Sequence, residues 1–232
     1  MTGENHDTTL LYRYTFQFED ETVKQFETRL DARTLELLPQ RELPKPEWTK
    51  LKYCQCENCP LGDKVEYCPV AVNLSELVET FKDFISYVNT KVVVKAPERT
   101  YEEDTTLQKG LSSIVGLYMV TSNCPIMDQL RPMVRFHLPF ATSEETLYRA
   151  VSMYLTRQYF AMRRGETPDW ELEKLAQIYS AISVVNAGMS RRLRQASTKD
   201  ANANALIILS AFGETVGVSL KDGVGNIEYL FK

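Results

Sequence analysis

The hydrophobic pattern of the first forty residues has a period of two. Tyr12, Tyr14, Phe16 and Phe18 alternate with polar residues, which is typical of a strand with one buried face. Polar turns interrupt the alternation twice, and mixed apolar segments resume after each turn. The pattern predicts a three-stranded antiparallel β-meander with strands at 10–18, 23–30 and 34–38.

A helical pattern dominates the chain after residue 73, because apolar residues then recur every three or four positions. Thr142 with Glu145 forms a capping-box sequence, which predicts a long helix to about Arg164. A short Val-rich strand is expected at 91–95. The other helix starts are predicted from N-cap residues or proline at Asn73, Thr105, Cys124, Thr167 and Asp200.

The C-terminal pattern predicts a last helix followed by a small β-hairpin. The helix is expected over 201–212, because Gly213 is a typical residue just beyond a helix end. Two apolar segments, 216–220 and 227–231, flank Asp222-Gly223, a sequence typical of hairpin turns.

The order of strands, cysteines, helices and final strands predicts an α+β fold. Three segments are expected, which pack as one unit. They are an N-terminal β-meander at 1–46, a cysteine-rich metal-knuckle segment at 47–72, and a mainly helical body with the terminal hairpin at 73–232. The prolines at 39, 44 and 46 mark the first boundary as an extended connector.

Composition narrows the functional classes. The 232 residues carry a net charge of −4, which argues against bulk electrostatic binding of nucleic acid. The N-terminus lacks the pattern of a signal peptide, and no apolar run approaches the roughly 18 residues that cross a bilayer, so a cytoplasmic location without a membrane is expected. Disulfides are rare in that compartment, so five cysteines favour metal or redox chemistry.

Four of the cysteines lie within fifteen residues. Cys56 and Cys59 form a C-x-x-C knuckle, whose turn directs two sulfur atoms at one ion. Cys54 lies two residues earlier, and Cys68 is far enough along for the chain to fold back. The four thiolates predict a metal site, with zinc as the first candidate and an iron–sulfur cluster as the alternative.

The second half of this site lacks its own C-x-x-C partner, so a ligand from elsewhere is an open alternative. Cys124 and His137 are the candidates, since they lie in a second segment rich in reactive residues. The same two residues also define a thiol enzyme or redox sensor, with Cys124 as nucleophile and His137 as base. Core packing is the competing interpretation of both.

Three motifs resemble a bacterial family of unknown function: Cys54–Leu61 (CQCENCPL), Ser122–Pro125 (SNCP) and His137–Thr142 (HLPFAT). The N-terminal Tyr12–Phe16 segment is similar as well. The resemblance implies a bacterial origin, and implies that the two cysteine segments belong to one type of protein. It implies no catalytic residues.

The expected function is therefore a zinc-stabilised intracellular interaction or regulatory protein without catalysis of its own. The motivation is a ligand-like group of thiols with no accompanying catalytic motif. A protein partner is expected, and nucleic acid is the weaker alternative. Nucleic acid binding would need one positive stripe that collects Arg163, Arg164, Arg191, Arg192 and Arg194.

Overall fold

A computed structural model of the chain describes residues 9–38 and 42–232. Within these residues, four strands form one antiparallel sheet in the order β2-β1-β3-β4. Part of the predicted connector, residues 39–41, and the N-terminal residues 1–8 lie outside the described part. The strands are β1 (Thr9–Phe18), β2 (Val23–Asp31), β3 (Asn89–Lys95) and β4 (Thr100–Thr106).

The alternation in β1 forms the centre of the core. Tyr12, Tyr14 and Phe16 are almost fully buried, as the period of two predicts. The ring of Phe16 packs edge-on against Phe81 of the first helix, with centroids 5.3 Å apart. The first two predicted strands are thus confirmed.

The predicted third strand of the meander is wrong. Residues 34–38 contribute a single bridge, between Leu30 and Leu37, because a tight turn folds them back on β2. The turn is closed by the Leu35 N–H, which donates to the Asp31 carbonyl at 2.9 Å. The other neighbour of β1 is β3, which buries Val92 and Val94 and so offers more apolar surface.

Five α-helices form the body in the described residues, together with four 3₁₀ segments. The helices are α1 (Pro69–Phe81), α2 (Leu107–Val120), α3 (Ser143–Arg163), α4 (Glu173–Ala196) and α5 (Ala201–Lys221). The 3₁₀ segments are Glu47–Thr49, Leu51–Tyr53, Met127–Phe136 and Gly225–Phe231.

The helix starts agree with the sequence best where a complete cap exists. At α3 the Glu145 N–H donates to Thr142 Oγ1 at 3.2 Å, and the Thr142 N–H donates to Glu145 Oε2 at 2.8 Å. The predicted start at Asn73 is wrong, since α1 begins at Pro69, where proline suits the first turn.

The predicted C-terminal hairpin is also wrong. Helix α5 continues through Gly213 to Lys221, because Val216 and Leu220 face a buried cluster at helical spacing. Gly223 has a φ of +69° and follows the helix end, where its N–H donates to the Leu220 carbonyl. The Val224 N–H donates to the Ser219 carbonyl at 2.8 Å, which completes a Schellman motif. Asp222-Gly223 therefore ends a helix, and residues 225–231 form a 3₁₀ segment.

One hydrophobic cluster joins the sheet, the cysteine segment and the helices α1, α2, α4 and α5. Gly110 lets α2 approach the sheet, because a Cβ there would lie 2.7 Å from Val92 Cγ2. A smaller cluster lies between α3, α4, α5 and the last 3₁₀ segment. The fold is α+β with a mainly helical body, as the order of patterns predicts.

Helix α5 is the one described helix that is long and apolar enough to span a bilayer by length and composition. A third of that stretch is buried within the structure. Core helices of globular proteins meet the same criterion, and α5 packs against α2 and α4.

Candidate functional site

The C-x-x-C knuckle packs against helix α4. The Cys59 N–H donates to the Cys56 carbonyl at 3.0 Å, which closes the turn between the two thiols. Asn58 Nδ2 donates to the Ala181 carbonyl at 2.9 Å and so ties the turn to α4. Gly188 makes this contact close, because a Cβ there would lie 2.8 Å from Cys56 Sγ. The knuckle therefore depends on a helix that is far away in sequence.

Two further thiols reach the same region from separate elements. Cys68 is buried at the start of α1, and its N–H donates to the Thr49 carbonyl at 2.8 Å. Cys124 is buried just after α2, where the N–H groups of Met127 and Ile126 point at its thiol. Both thiols belong to the cluster against which Cys56 and Cys59 pack.

These thiols also affect one another's pKa values. Burial first, and then the neighbouring Cys68, Cys59 and Cys124, together raise the pKa of Cys56 to about 11. Burial likewise raises the pKa of Cys124, on which Cys68 and Cys59 also act. We call these four residues the thiol cluster.

The thiol cluster does not have ligand geometry as it stands. Within residues 9–38 and 42–232, no three His, Cys, Asp or Glu side chains stand at the spacing of a metal-ligand set. Ligation of one zinc ion requires Zn–S distances of about 2.3 Å, so the thiol side chains would have to close around the ion.

Cys54 has a different environment from the thiol cluster. Its side chain is half-buried, and Sγ lies 3.8 Å from Gln195 Oε1 near the end of α4. The role of Cys54 as a ligand stays a prediction.

A buried arginine lies beside the thiol cluster. Arg192 of α4 is only 1% exposed and donates to the carbonyls of Trp48, Lys50 (2.7 Å) and Leu51 (3.3 Å). Among the described residues it pairs with no carboxylate, and its charge lowers the pKa of Cys56 against the larger effect of burial. Arg192 therefore holds the 3₁₀ turns that precede the knuckle and places positive charge next to thiols.

His137 is held apart from the thiols. Its Nε2 lies 2.5 Å from the Tyr14 hydroxyl, and the Tyr12 ring stands edge-on to it at 5.5 Å. Burial, and then the Arg149 charge, lower the pKa of His137 to about 3, so its imidazole is neutral at pH 7. Cys124 does not contribute to this shift. The described contacts do not bring together the predicted pair of Cys124 and His137.

A groove of about 970 Å³ lies between the β2 turn, the 3₁₀ segment Met127–Phe136 and α3. Phe136 and Phe160 on its wall are more than half exposed. Asp128 is its one acidic lining residue in the described part of the chain. We call it the arginine–aromatic groove, and its other charged and aromatic lining residues are Arg33, Arg131, Tyr148, Arg149, Arg157 and Arg164.

The arginines that nucleic acid binding would need do not form one exposed positive stripe. Arg192 is buried against backbone carbonyls, and Arg164 pairs with Glu166 at 2.7 Å. The sequence indicates that Arg192 is buried, because this residue falls on the apolar stripe of α4 that carries Val185 and Met189. Asn186 lies on the same stripe, between Ile182 and Met189, and carries the same signal, whereas no such pattern predicts the close approach at Gly188.

Together these features define an α+β protein in which unpaired cysteine thiols, two of them buried, lie beside one buried arginine. The chain belongs to a family described as a domain of unknown function (DUF6901), whose model matches residues 11–232. The expectation of an uncharacterised family is thereby confirmed, while the individual motifs stay a prediction. No curated protein and no solved structure matches the chain.

Proposed function

We propose that this protein is a zinc-stabilised interaction protein without catalysis of its own. Cys56, Cys59, Cys68 and Cys124 would hold one ion, so that metal binding fixes the cysteine segment on the helical body. The observation that carries the proposal is that four cysteines from three separate segments belong to, or pack against, one buried cluster, where they affect one another's pKa values. An all-thiolate set of four ligands is typical of structural zinc, because no position is left for a substrate.

The charge of the surroundings supports a thiolate centre. One Zn²⁺ with four thiolates carries a net charge of about −2, which is costly in a core unless it is compensated. Arg192 supplies a buried positive charge without a carboxylate partner in the described residues. The backbone N–H groups directed at Cys124 can donate hydrogen bonds to a thiolate and so stabilise its negative charge.

The metal test uses protein purified without oxygen. We expect about one zinc per chain by elemental mass spectrometry, with no visible absorption. Cys59→Ser should lose the metal, and Cys54→Ser is the matched control that keeps it. Visible absorption with iron would favour the iron–sulfur alternative, which keeps Cys54 as a candidate ligand. Less than about 0.1 metal per chain would overturn the proposal.

The arginine–aromatic groove supports the interaction role. Several of its arginines have only a neutral partner or none, as in Arg157, whose Nη1 donates to Gln129 Oε1 at 3.1 Å. Exposed aromatic rings beside cationic side chains are typical of surfaces that bind proteins. Charge complementarity favours an acidic segment with apolar residues as the partner.

The groove test uses a labelled peptide of alternating glutamate and leucine, and its glutamine analogue as control. We expect the acidic peptide to bind, and the double variant Arg33→Ala with Arg157→Ala to weaken binding at least about tenfold. The control Arg191→Ala with Arg194→Ala removes two exposed arginines of α4 and should leave binding unchanged. Equal binding of both peptides, or tighter binding of single-stranded DNA, would contradict this role.

A further inference from the structure

A cavity of about 160 Å³ lies inside the helical body, away from the thiol cluster. It is bounded by α2, α3, α4, α5 and the segment 127–141, and it is partly open to solvent. The wall is mainly apolar, and includes Leu117, Val134, Ile182, Leu209 and Phe212. Cavities of about 150 Å³ with apolar walls accept a single benzene molecule. The cavity therefore has room for one small ring or a short branched chain.

One side of the cavity carries polar groups without full partners. Asn186 of α4 is only 4% exposed, and its Oδ1 has no hydrogen-bond partner in the described residues. Rotation of the amide about its last bond presents Nδ2 in the same place, so this position can donate to a ligand oxygen. An unpaired amide in an otherwise apolar wall points to a ligand with a polar group.

Arg149 supplies positive charge at the same cavity. Its Nη2 donates to the carbonyls of Met133 at 3.1 Å and Phe136 at 2.8 Å, which orients the guanidinium. Among the described residues, no carboxylate forms a salt bridge with it. The Glu145 carboxylate is engaged by the Thr142 N–H at the cap of α3. A planar cation of this kind binds carboxylates in a defined orientation.

The route into the cavity is visible in its lining. Met133 and Arg149 line both the cavity and the arginine–aromatic groove, so these two side chains separate one from the other. A methionine side chain is flexible, and rotation of Met133 would widen this opening without a change of the backbone.

We propose that this cavity binds a small monocarboxylic acid with a compact apolar body, of the size of benzoate. The carboxylate would lie on Arg149 and the Asn186 amide, and the ring would lie among the apolar side chains. A phosphate or a dicarboxylate fits poorly, because Arg149 is the one lysine or arginine in the described lining and the rest of the wall is mainly apolar. The proposal does not depend on the metal centre, since no residue of the thiol cluster lines the cavity.

Isothermal titration of the full chain with benzoate tests the proposal. We expect saturable one-to-one binding, with cyclohexanecarboxylate also bound and benzamide at least about tenfold weaker, because the amide is neutral. Gly213→Leu fills the cavity, since a Cβ there meets only Asn186 Nδ2, at 3.9 Å. This variant should abolish binding while circular dichroism shows an intact helical fold.

A second pair of variants separates charge from volume. Arg149→Met should weaken benzoate at least about tenfold and leave the affinity for benzamide unchanged. Arg157→Met, on the exposed face of the same helix, is the matched control and should bind benzoate as the parent does. Absence of saturable binding by either acid, equal affinity for benzoate and benzamide, or unchanged binding in a folded Gly213→Leu variant would overturn the proposal.

Discussion

Two arginines on neighbouring helices have similar partners but different surroundings. Arg192 is enclosed by three backbone carbonyls and lies beside the thiol cluster. Arg149 donates to two carbonyls and lies beside a cavity. Neither pairs with a carboxylate in the described residues. The comparison teaches that the donors of Arg192 are used mainly by backbone carbonyls, whereas Arg149 has donors left for an external anion.

The largest effect is expected from Arg192→Met. The change leaves the carbonyls of Trp48, Lys50 and Leu51 without their donor in a buried site. We expect a loss of about 3–5 kcal/mol in the free energy of unfolding, measured by urea denaturation. Arg194→Met, two residues later on the exposed face, should change it by less than about 0.5 kcal/mol. A loss below about 1 kcal/mol for Arg192→Met would show that its bonds to the three carbonyls contribute little to stability.

The next effect concerns the contact between α4 and the knuckle. In Gly188→Ala the new Cβ would overlap Cys56 Sγ, so the knuckle must move away from α4. We expect a loss of about 1–3 kcal/mol in unfolding free energy from this overpacking. If the thiol cluster holds zinc as proposed, faster loss of the metal to a chelator should accompany this change.

The control for Gly188→Ala is Gly217→Ala on α5, where no atom lies within 4 Å of the new Cβ. It should stabilise the protein by about 0.5–1 kcal/mol, because alanine favours a helix. Equal stability changes in the two variants would show that the contact between Gly188 and Cys56 is not tightly packed.

Arg149→Met is expected to cost less than Arg192→Met. The variant loses the two carbonyl bonds, but Arg149 is only partly buried, so water can replace part of what is lost. We expect about 1–2 kcal/mol by the same denaturation measurement. A cost equal to that of Arg192→Met would mean that both arginines serve only the fold.

The sequence predicted local features well and distant ones poorly. The Thr142 capping box and the period of two in β1 each lie within a few residues, and both were confirmed. The knuckle turn at Cys56 is equally local. The approach of Cys124 to that turn depends on how α2 packs, and no spacing encodes it. Gly223 was misread, because glycine after aspartate also suits a helix end, and the i,i+4 spacing of Val216 and Leu220 was the stronger signal.

The smallest effect in this series is a pH dependence centred on His137, next to Arg149. Its pKa in the folded protein is lowered to about 3, below the ordinary value of 6.5. The unfolded chain therefore binds the proton first as the pH falls, and stability should decrease below about pH 6.5. Between pH 7 and 5.5 we expect a loss of about 1 kcal/mol from this residue.

The variant His137→Phe tests that assignment, because it removes the titrating group while it keeps a ring beside Tyr12. Its unfolding free energy should vary less over this pH range than that of the parent. Burial is the larger cause of the low pKa of His137, and the positive charge of Arg149 is the second. In Arg149→Met the pKa should rise toward its ordinary value, and the decline should become shallower. An unchanged profile in both variants would place the pH dependence elsewhere and would separate His137 from the cation at the cavity wall.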